Sequence, residues 1–163
     1  MRKQKGFSLI ELLIVVAIIL IIAAIAIPNL LRARIAANES SAASGVRTIN
    51  TAEVAYFSSY QTYSATLTEL GPGGPAVACP AAGPVLATAC LIDGVLANAN
   101  TLPKSGYTYT VAGLATTYSA KADAATLNTT GVRSFCSVED AVVRVQAIGP
   151  IAGACAPTIA PLQ

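Results

Sequence analysis

The first 28 residues constrain this chain more than any other part of it. A basic run, Arg2-Lys3-Gln4-Lys5, precedes Gly6, and an apolar run then extends from Phe7 to Ile27. A helix of that length measures about 31 Å, which matches the roughly 30 Å hydrocarbon core of a bilayer. The run contains one acid, Glu11, and a carboxylate at the bilayer centre costs about 2.5–3.5 kcal/mol. The segment is therefore predicted to span a membrane, and its acid is predicted to need a partner.

The distribution of charge gives this segment an orientation. The formal net charge is +2, but Arg2, Lys3 and Lys5 all precede the apolar run, and the remainder carries seven basic and eight acidic side chains. Basic residues beside a membrane segment tend to remain in the cytoplasm, so the bulk of the chain is predicted to be exported. The remainder has no excess of positive charge that would indicate binding to nucleic acid.

An ordinary secretory signal peptide is the alternative for this segment. Such a peptide has an apolar core of about 7–15 residues followed by small residues at its cleavage site. The run in this chain is longer, and Ile27-Pro28-Asn29-Leu30-Leu31 follows it. We therefore expect the apolar segment to remain in the protein. Pro28 should weaken the helix at the membrane edge, either as a tolerated proline or as a hinge.

A long helix is predicted to continue through residues 29–60, which contain no proline and only one glycine. Apolar side chains recur there at three- and four-residue steps, so they form one stripe that needs a partner surface. The stripe consists of Val46, Ile49, Tyr56, Phe57 and Tyr60. The polar side chains expected elsewhere on the helix are Arg32, Arg34, Asn38, Glu39, Ser40, Arg47 and Asn50. A helix from Ser8 to Tyr60 would be about 80 Å long.

The rest of the chain is predicted to form a loop and a sheet. Residues 61–104 are rich in Gly, Pro, Ala, Ser and Thr, which predicts a surface loop with little regular structure. Residues 105–163 contain four alternating runs typical of short strands in two antiparallel hairpins. These runs are 107–111, 117–122, 132–138 and 142–146. The predicted fold class is α+β, a lollipop in which the C-terminal half of a long N-terminal helix packs against a small antiparallel four-stranded sheet.

The exported part contains four cysteines and no histidine. Cys79, Cys90, Cys136 and Cys155 are predicted to form two disulfides, with three pairings open. Neither a metal site nor a cofactor is expected, because histidine is absent and no two cysteines have CxxC spacing. The chain is not predicted to be an enzyme, since it lacks a Ser-His or Cys-His pair and a recognisable pair of catalytic carboxylates.

The run Lys5-Gly6-Phe7-Ser8-Leu9-Ile10-Glu11, followed by an apolar segment and Pro28, resembles the prepilin signal of type IV pilins and type II secretion pseudopilins. The resemblance implies a leader of residues 1–6, removed by a prepilin peptidase between Gly6 and Phe7, and methylation of the new Phe7 amine. It implies that residues 7–28 remain as a helix that anchors the precursor and later forms the filament core. The family's frequent C-terminal disulfide implies a Cys136–Cys155 bridge, which leaves Cys79 to pair with Cys90.

The same resemblance implies how the subunits assemble. Glu11 of an incoming subunit is expected to meet the N-terminal amine of a neighbour, because a buried carboxylate without a cation is strongly penalised. The implied partners are other copies of the subunit, the peptidase and methyltransferase, an inner-membrane assembly platform with its ATPase, and membrane lipid before assembly, with no direct contact to nucleic acid. The precursor is expected in the bacterial inner membrane as a single-pass protein with an exported head.

Three functions stay open at this point. The first is a type IV pilus subunit in an extracellular fibre. The second is a pseudopilin of a type II secretion system, in a filament that spans the periplasm and drives protein export. The third is a membrane-tethered receptor that never polymerises.

Overall fold

One long helix dominates the N-terminal part of the chain. The computed structural model describes residues 7–74, 77–81 and 83–162. Helix α1 runs from Leu9–Tyr60, so the predicted helix is confirmed with a start one residue later than expected. The chain divides into two structural units, an N-terminal unit, Met1–Arg34, and a C-terminal unit, Ile35–Gln163. Helix α1 contributes to both units.

The N-terminal unit exposes its apolar side chains. Every described Phe, Leu, Ile and Val side chain from Phe7 to Leu31 is exposed. This part of α1 is long and apolar enough to cross a membrane. Pro28 lies inside α1, and the helix continues past it, so the proline does not end the helix. An apolar surface of this extent needs lipid or another protein to cover it.

In the C-terminal unit, α1 buries one face in the core. Val46, Ile49 and Tyr56 of the predicted stripe are buried, whereas Phe57 and Tyr60 are half-buried. Small residues lie between these large ones, and they let the helix approach the sheet closely. A Cβ on Gly45 would come within 2.6 Å of the Tyr109 ring, so a side chain at that position would displace the tyrosine.

The sheet has four antiparallel strands in the order β1-β2-β3-β4. The strands are β1, Tyr107–Gly113, β2, Tyr118–Ala124, β3, Ser134–Val138, and β4, Arg144–Gln146. All four predicted strands are confirmed, with bounds that differ by a few residues. Each strand pairs with the next along the chain, so the two predicted hairpins are joined through β2 and β3 into one continuous meander.

The core forms where the sheet meets α1. Alternate residues of β1 and β2 are buried, which is the pattern of a sheet with one covered face. Tyr107, Tyr109 and Tyr118 are among these residues and belong to the same cluster as the buried side chains of α1. Packing of the helix against a four-stranded antiparallel sheet therefore confirms the predicted α+β fold class.

The segment 61–104 departs from its prediction. It has little regular structure, as expected, apart from the short helix α2, Gly94–Ala97, which Asp93 caps by accepting a hydrogen bond from the Leu96 N–H at 2.8 Å. Leu67, Leu70 and Leu96 are buried, so the prediction of a segment lying only on the surface is wrong. Its leucines are spaced irregularly, and no helical or strand period marked them as core residues.

Candidate functional site: the start of helix α1 and the polar anchors behind it

Glu11 lies at the start of α1 and has a hydrogen-bonding partner in its own chain. The Ser8 N–H donates to Glu11 Oε2 at 3.0 Å, and the Leu12 N–H donates to the Ser8 carbonyl at 3.3 Å. This is the carboxylate half of a capping box, in which an acid at the third helical position accepts a hydrogen bond from the free N–H of the residue just before the helix. The Ser-x-x-Glu spacing that specifies the box is present in the sequence, but it was not among the sequence predictions.

The structure brings some of the predicted site residues together and leaves others apart. Phe7 is 76% exposed and directly precedes Ser8, so it lies just before α1, whereas Glu11 lies in the first turn of α1. Pro28 lies much further along the same helix and takes no part in this turn. Gly6, and with it the predicted cleavage point, lies outside the described residues.

A second carboxylate, Glu39, attaches α1 to the connection before β3. Its Oε1 accepts hydrogen bonds from the backbone N–H groups of Val132 and Arg133, each at 3.0 Å, and its Oε2 accepts one from Arg133 Nε at 2.7 Å. Burial opposes ionisation, but these donors and the Arg133 charge outweigh it and lower the pKa of Glu39. Glu39 was expected among the polar positions outside the packed stripe, and its burial corrects that prediction.

A third carboxylate, Glu53, is fully buried and faces no cation among its hydrogen-bonding partners. Ser64 donates to it twice, from its backbone N–H to Oε2 at 3.1 Å and from its hydroxyl to Oε1. Burial raises the pKa of Glu53, the two Ser64 hydrogen bonds lower it, and the nearby Glu69 charge raises it, with a net upward shift. Glu53 therefore attaches the end of α1 to the segment that follows it.

The Asn50 amide is the third buried polar group of α1 that is hydrogen-bonded to another part of the chain. We call Glu39, Asn50 and Glu53 the polar anchors of α1. Asn50 accepts a hydrogen bond from the Tyr118 hydroxyl at 3.1 Å and donates one to the Ala141 carbonyl at 3.1 Å. Burial raises the pKa of Tyr118 well above its usual range, so it remains a donor at physiological pH. Asn50 was predicted to lie outside the stripe but is buried. A helical period finds apolar faces and cannot identify polar residues whose partners are distant in sequence.

Two disulfides close the irregular parts of the C-terminal unit. Cys79 pairs with Cys90 across a Cα–Cα distance of 6.0 Å, and Cys136 pairs with Cys155 across 5.7 Å. These are the pairings that the family resemblance implies. Both distances fall in the usual range for disulfides.

Polar side chains of β2 hold the C-terminal segment against the sheet. Ser119 Oγ accepts from the Cys155 N–H at 2.8 Å, Lys121 Nζ donates to the Gly153 carbonyl at 2.7 Å, and Asp123 Oδ1 accepts from the Ile151 N–H at 2.9 Å. These three residues alternate with the buried ones on β2. The second face of the sheet is thus used to position this segment.

The described residues offer no arrangement of ligands for a metal ion, since they contain no group of three or more His, Cys, Asp or Glu side chains close enough together. One open groove on their surface, of about 510 Å³, is walled mainly by apolar atoms.

Comparison with known proteins bears directly on helix α1. Residues 1–27 match the family described as the prokaryotic N-terminal methylation motif. The type IV major pilin protein PilA of Myxococcus xanthus is 44% identical over 69 residues, which cover 42% of this chain and 31% of that protein. The N-terminal part of this chain is thus similar to type IV major pilins.

A second pilin relative has a shorter match of higher identity. The type IV wide pilus major component PilA4 of Thermus thermophilus is 68% identical over 40 residues, which cover 24% of this chain and 30% of that protein. The chain thus matches less than a third of the length of either pilin relative. The N-terminal signal that the sequence analysis attributed to the pilin family is confirmed as a methylation motif.

Proposed function

We propose that this chain is the structural subunit of a type IV pilus, held in the bacterial inner membrane as a precursor and polymerised through its N-terminal helix into an extracellular fibre. The observation that carries the proposal is the set of exposed large apolar side chains from Phe7 to Leu31, which lie within and directly after a methylation motif. Such a surface is stable in lipid or when packed against copies of itself. A contact that repeats head-to-tail without closing produces a filament.

Processing is the first step of the proposed pathway. A prepilin peptidase removes residues 1–6 by cleaving between Gly6 and Phe7, and a methyltransferase modifies the Phe7 amine. Residues 7–28 then form the membrane and filament-core helix, and residues 29–60 form the amphipathic half of the helix that packs on the head. Residues 61–104 form the connecting loop, and residues 105–163 supply the sheet and C-terminal loop. Pro28 is proposed as the point where α1 adapts during the transfer from membrane to fibre. An inner-membrane platform and its ATPase supply the work.

Glu11 is proposed to control the register of the incoming subunit. In the free chain its carboxylate is capped by one N–H, from Ser8, and a carboxylate can accept further hydrogen bonds. The Phe7 amine of a neighbouring subunit is the proposed additional donor, and it brings the positive charge that the carboxylate lacks. An unpaired ion in the apolar fibre core is penalised by several kcal/mol, so a misplaced subunit is rejected.

Two substitutions at Glu11 separate its charge from its role as a helix cap. Glu11→Gln keeps an oxygen that accepts from the Ser8 N–H but removes the charge, whereas Glu11→Ala removes both. We expect both variants to insert into the membrane, to be processed at Phe7 and to lose shear-released fibres. Ser8→Ala is the matched control, since it retains the backbone N–H, and it should assemble normally. Normal fibres from Glu11→Gln would refute the charge-register mechanism.

A pseudopilin of a type II secretion system is the second candidate, because the methylation motif is expected in both classes. Electron microscopy of material sheared from the native cell discriminates the two functions. Long fibres containing this chain support the pilus subunit. Absence of such fibres, together with a protein-export defect on deletion, supports the pseudopilin. A membrane-tethered receptor would give neither result.

A further inference from the structure

Most charged side chains of the described residues are matched within the chain. Three ion pairs are formed, Lys104–Asp93, Arg133–Glu39 and Arg144–Asp140. The other matched carboxylates accept backbone N–H groups, Glu11 from Ser8, Glu53 from Ser64, Glu69 from Ala65 and Asp123 from Ile151. Among the described acids, Glu139 alone has neither a hydrogen bond to its carboxylate nor an ion pair.

The unmatched positive charges lie on one element. Arg32, Arg34 and Arg47 are all exposed, all belong to α1, and make no side-chain hydrogen bond or ion pair within the described part of the chain. The two other acids of α1 beyond its first turn, Glu39 and Glu53, are buried and engaged in the contacts above. The outward surface of α1 after its apolar run therefore carries positive charge without an exposed acid to balance it.

Glu139 is placed where a second molecule can reach it. It lies in the turn after β3, which is closed by a hydrogen bond of 2.8 Å from the Ala141 N–H to the Val138 carbonyl, and it is exposed. It also lines the open groove of about 510 Å³, whose walls include Leu114 and Pro157. A long side chain with an apolar stem and a positive end fits such a groove, because the stem packs on the walls while the charged group meets the carboxylate.

The neighbouring arginine does not fill this role. The Glu139 charge contributes to the raised pKa of Arg144, so the two groups sense one another, but the hydrogen bond to Asp140 is the main cause of that shift. Arg144 donates from Nη1 to Asp140 and to the Val142 carbonyl, from Nη2 to Asp140, and from Nε to the Pro157 carbonyl. The guanidinium is therefore committed elsewhere, and the Glu139 carboxylate is left open.

We propose that Glu139 and its groove bind the arginine pair Arg32 and Arg34 on helix α1 of a second copy of this chain. The proposal rests on the filament function and names an interface of that filament. Arg47 is a poorer candidate, because it and Ala141 line one small groove on the same molecule, so it shares a face with the turn that carries Glu139. A contact through that shared face would be symmetric, whereas pairing of two different surfaces repeats head-to-tail.

Charge complementarity favours a second copy over lipid headgroups as the occupant. Phosphate groups could attract Arg32 and Arg34, but they would repel Glu139 and would leave its groove without an occupant. A second copy satisfies the unmatched acid and the unmatched arginines in one contact. Arginine also suits the site, since its planar group pairs with a carboxylate through two parallel hydrogen bonds.

A charge-swap experiment in cells that assemble the full-length chain tests this interface. The variants are Glu139→Arg, the double reversal Arg32→Glu with Arg34→Glu, and all three changes combined. Each reversal should lower shear-released fibre by about fivefold or more, as expected for replacing a favourable ion pair with a like-charge contact in every subunit. The combined variant should recover most of the wild-type yield, because the pair is restored with opposite polarity. Arg47→Glu is the matched control and should not rescue Glu139→Arg.

The amount of processed subunit in the membrane fraction is measured for every variant, so that folding and insertion are followed separately from assembly. Equal fibre yields from wild type and all charge variants would overturn the interface while leaving the filament function standing. Loss of fibre in the double reversal that Glu139→Arg does not rescue would also overturn the interface. If the amount of membrane-bound subunit fell in parallel, the arginines would instead be assigned a role in binding lipid. Absence of fibres from the wild-type chain would instead refute the filament function.

Discussion

The buried Glu53 carboxylate and its partner Ser64 are predicted to make a large contribution to the stability of the C-terminal unit. Both oxygens of Glu53 accept from Ser64, and neither residue has any exposed surface. Glu53→Ala would leave the Ser64 N–H and hydroxyl buried without partners, and each such group costs about 1–3 kcal/mol. Loss of the side-chain packing adds a cavity. We expect a destabilisation of about 3–5 kcal/mol, which is a large share of the stability of a small domain.

Glu53→Gln should behave differently from Glu53→Ala. The amide keeps the shape of the side chain, accepts from the Ser64 N–H with its oxygen and donates to the Ser64 hydroxyl with its nitrogen. It also removes a charge from a site without a cation. We therefore expect Glu53→Gln to lie within about 1 kcal/mol of wild type in mild acid and to be the more stable protein at neutral pH.

The pH dependence of this difference has a defined sign. The pKa of Glu53 is raised in the folded state from its ordinary value of 4.5, chiefly by burial. The folded protein therefore holds its proton more tightly than the unfolded chain, and folding loses stability as pH rises from about 4.5 through the folded-state pKa. The free energy of unfolding of the wild-type protein should therefore fall relative to that of Glu53→Gln across that range. The difference should become constant once Glu53 is fully ionised.

The assay is unfolding of the full chain in detergent, followed by the near-ultraviolet circular dichroism of tyrosine. Tyr56, Tyr107 and Tyr109 are buried in the core of the C-terminal unit, so this signal reports the core and not the apolar part of α1. Measurements at about pH 4.5 and pH 8 bracket the titration. Equal destabilisation by Glu53→Gln and Glu53→Ala would refute the reasoning, as would a wild-type stability that rises relative to Glu53→Gln between those two pH values.

Three further predictions concern the other contacts of the C-terminal unit. Gly113→Ala should destabilise it by about 2 kcal/mol or more, measured by thermal unfolding, because the new Cβ would lie 2.2 Å from a backbone carbonyl oxygen. Arg133→Gln should lower the free energy of unfolding by about 1 kcal/mol at neutral pH. The pKa of Glu39 is lowered because its hydrogen-bond donors outweigh its burial. The difference between the variant and the wild type should therefore shrink as pH falls below about 4.5 and Glu39 becomes protonated. Replacing Cys136 and Cys155 by serine should cost about 3 kcal/mol in urea unfolding yet leave the C-terminal segment protected in hydrogen exchange.

The sequence predicted the regular elements of this fold well because they have strong local signals. The helix follows from long runs of helix-compatible residues on both sides of Pro28, and the strands follow from alternation, as at Tyr107–Gly113. Strand ends were less accurate. The run from Val132 was expected to be strand throughout, but Val132 and Arg133 instead donate their N–H groups to Glu39. A side chain that is distant in sequence thus delays the start of β3.

The polar anchors could not be predicted because their meaning depends on the tertiary fold. Glu39, Asn50 and Glu53 lie on the same helix, and hydropathy alone assigns all three to solvent. Each becomes buried because a loop or a hydroxyl from elsewhere in the chain satisfies it, as the Ala141 carbonyl does for Asn50. The buried leucines of 61–104 were missed for a related reason, since an irregular segment has no period to show which side faces the core.

Glu11 shows the opposite case, in which a local signal constrains a functional proposal. Its carboxylate was inferred to need an external cation, yet the Ser8 N–H already satisfies one of its oxygens. The capping hydrogen bond therefore holds the acid in the first turn of α1 without a partner from outside the chain. In the proposed assembly, pairing with an amine would supply charge compensation to an acid already held in position, which would lower the entropy lost on docking. The proposal thus assigns the cap and the charge separate contributions to assembly, and Glu11→Gln retains the first while it removes the second.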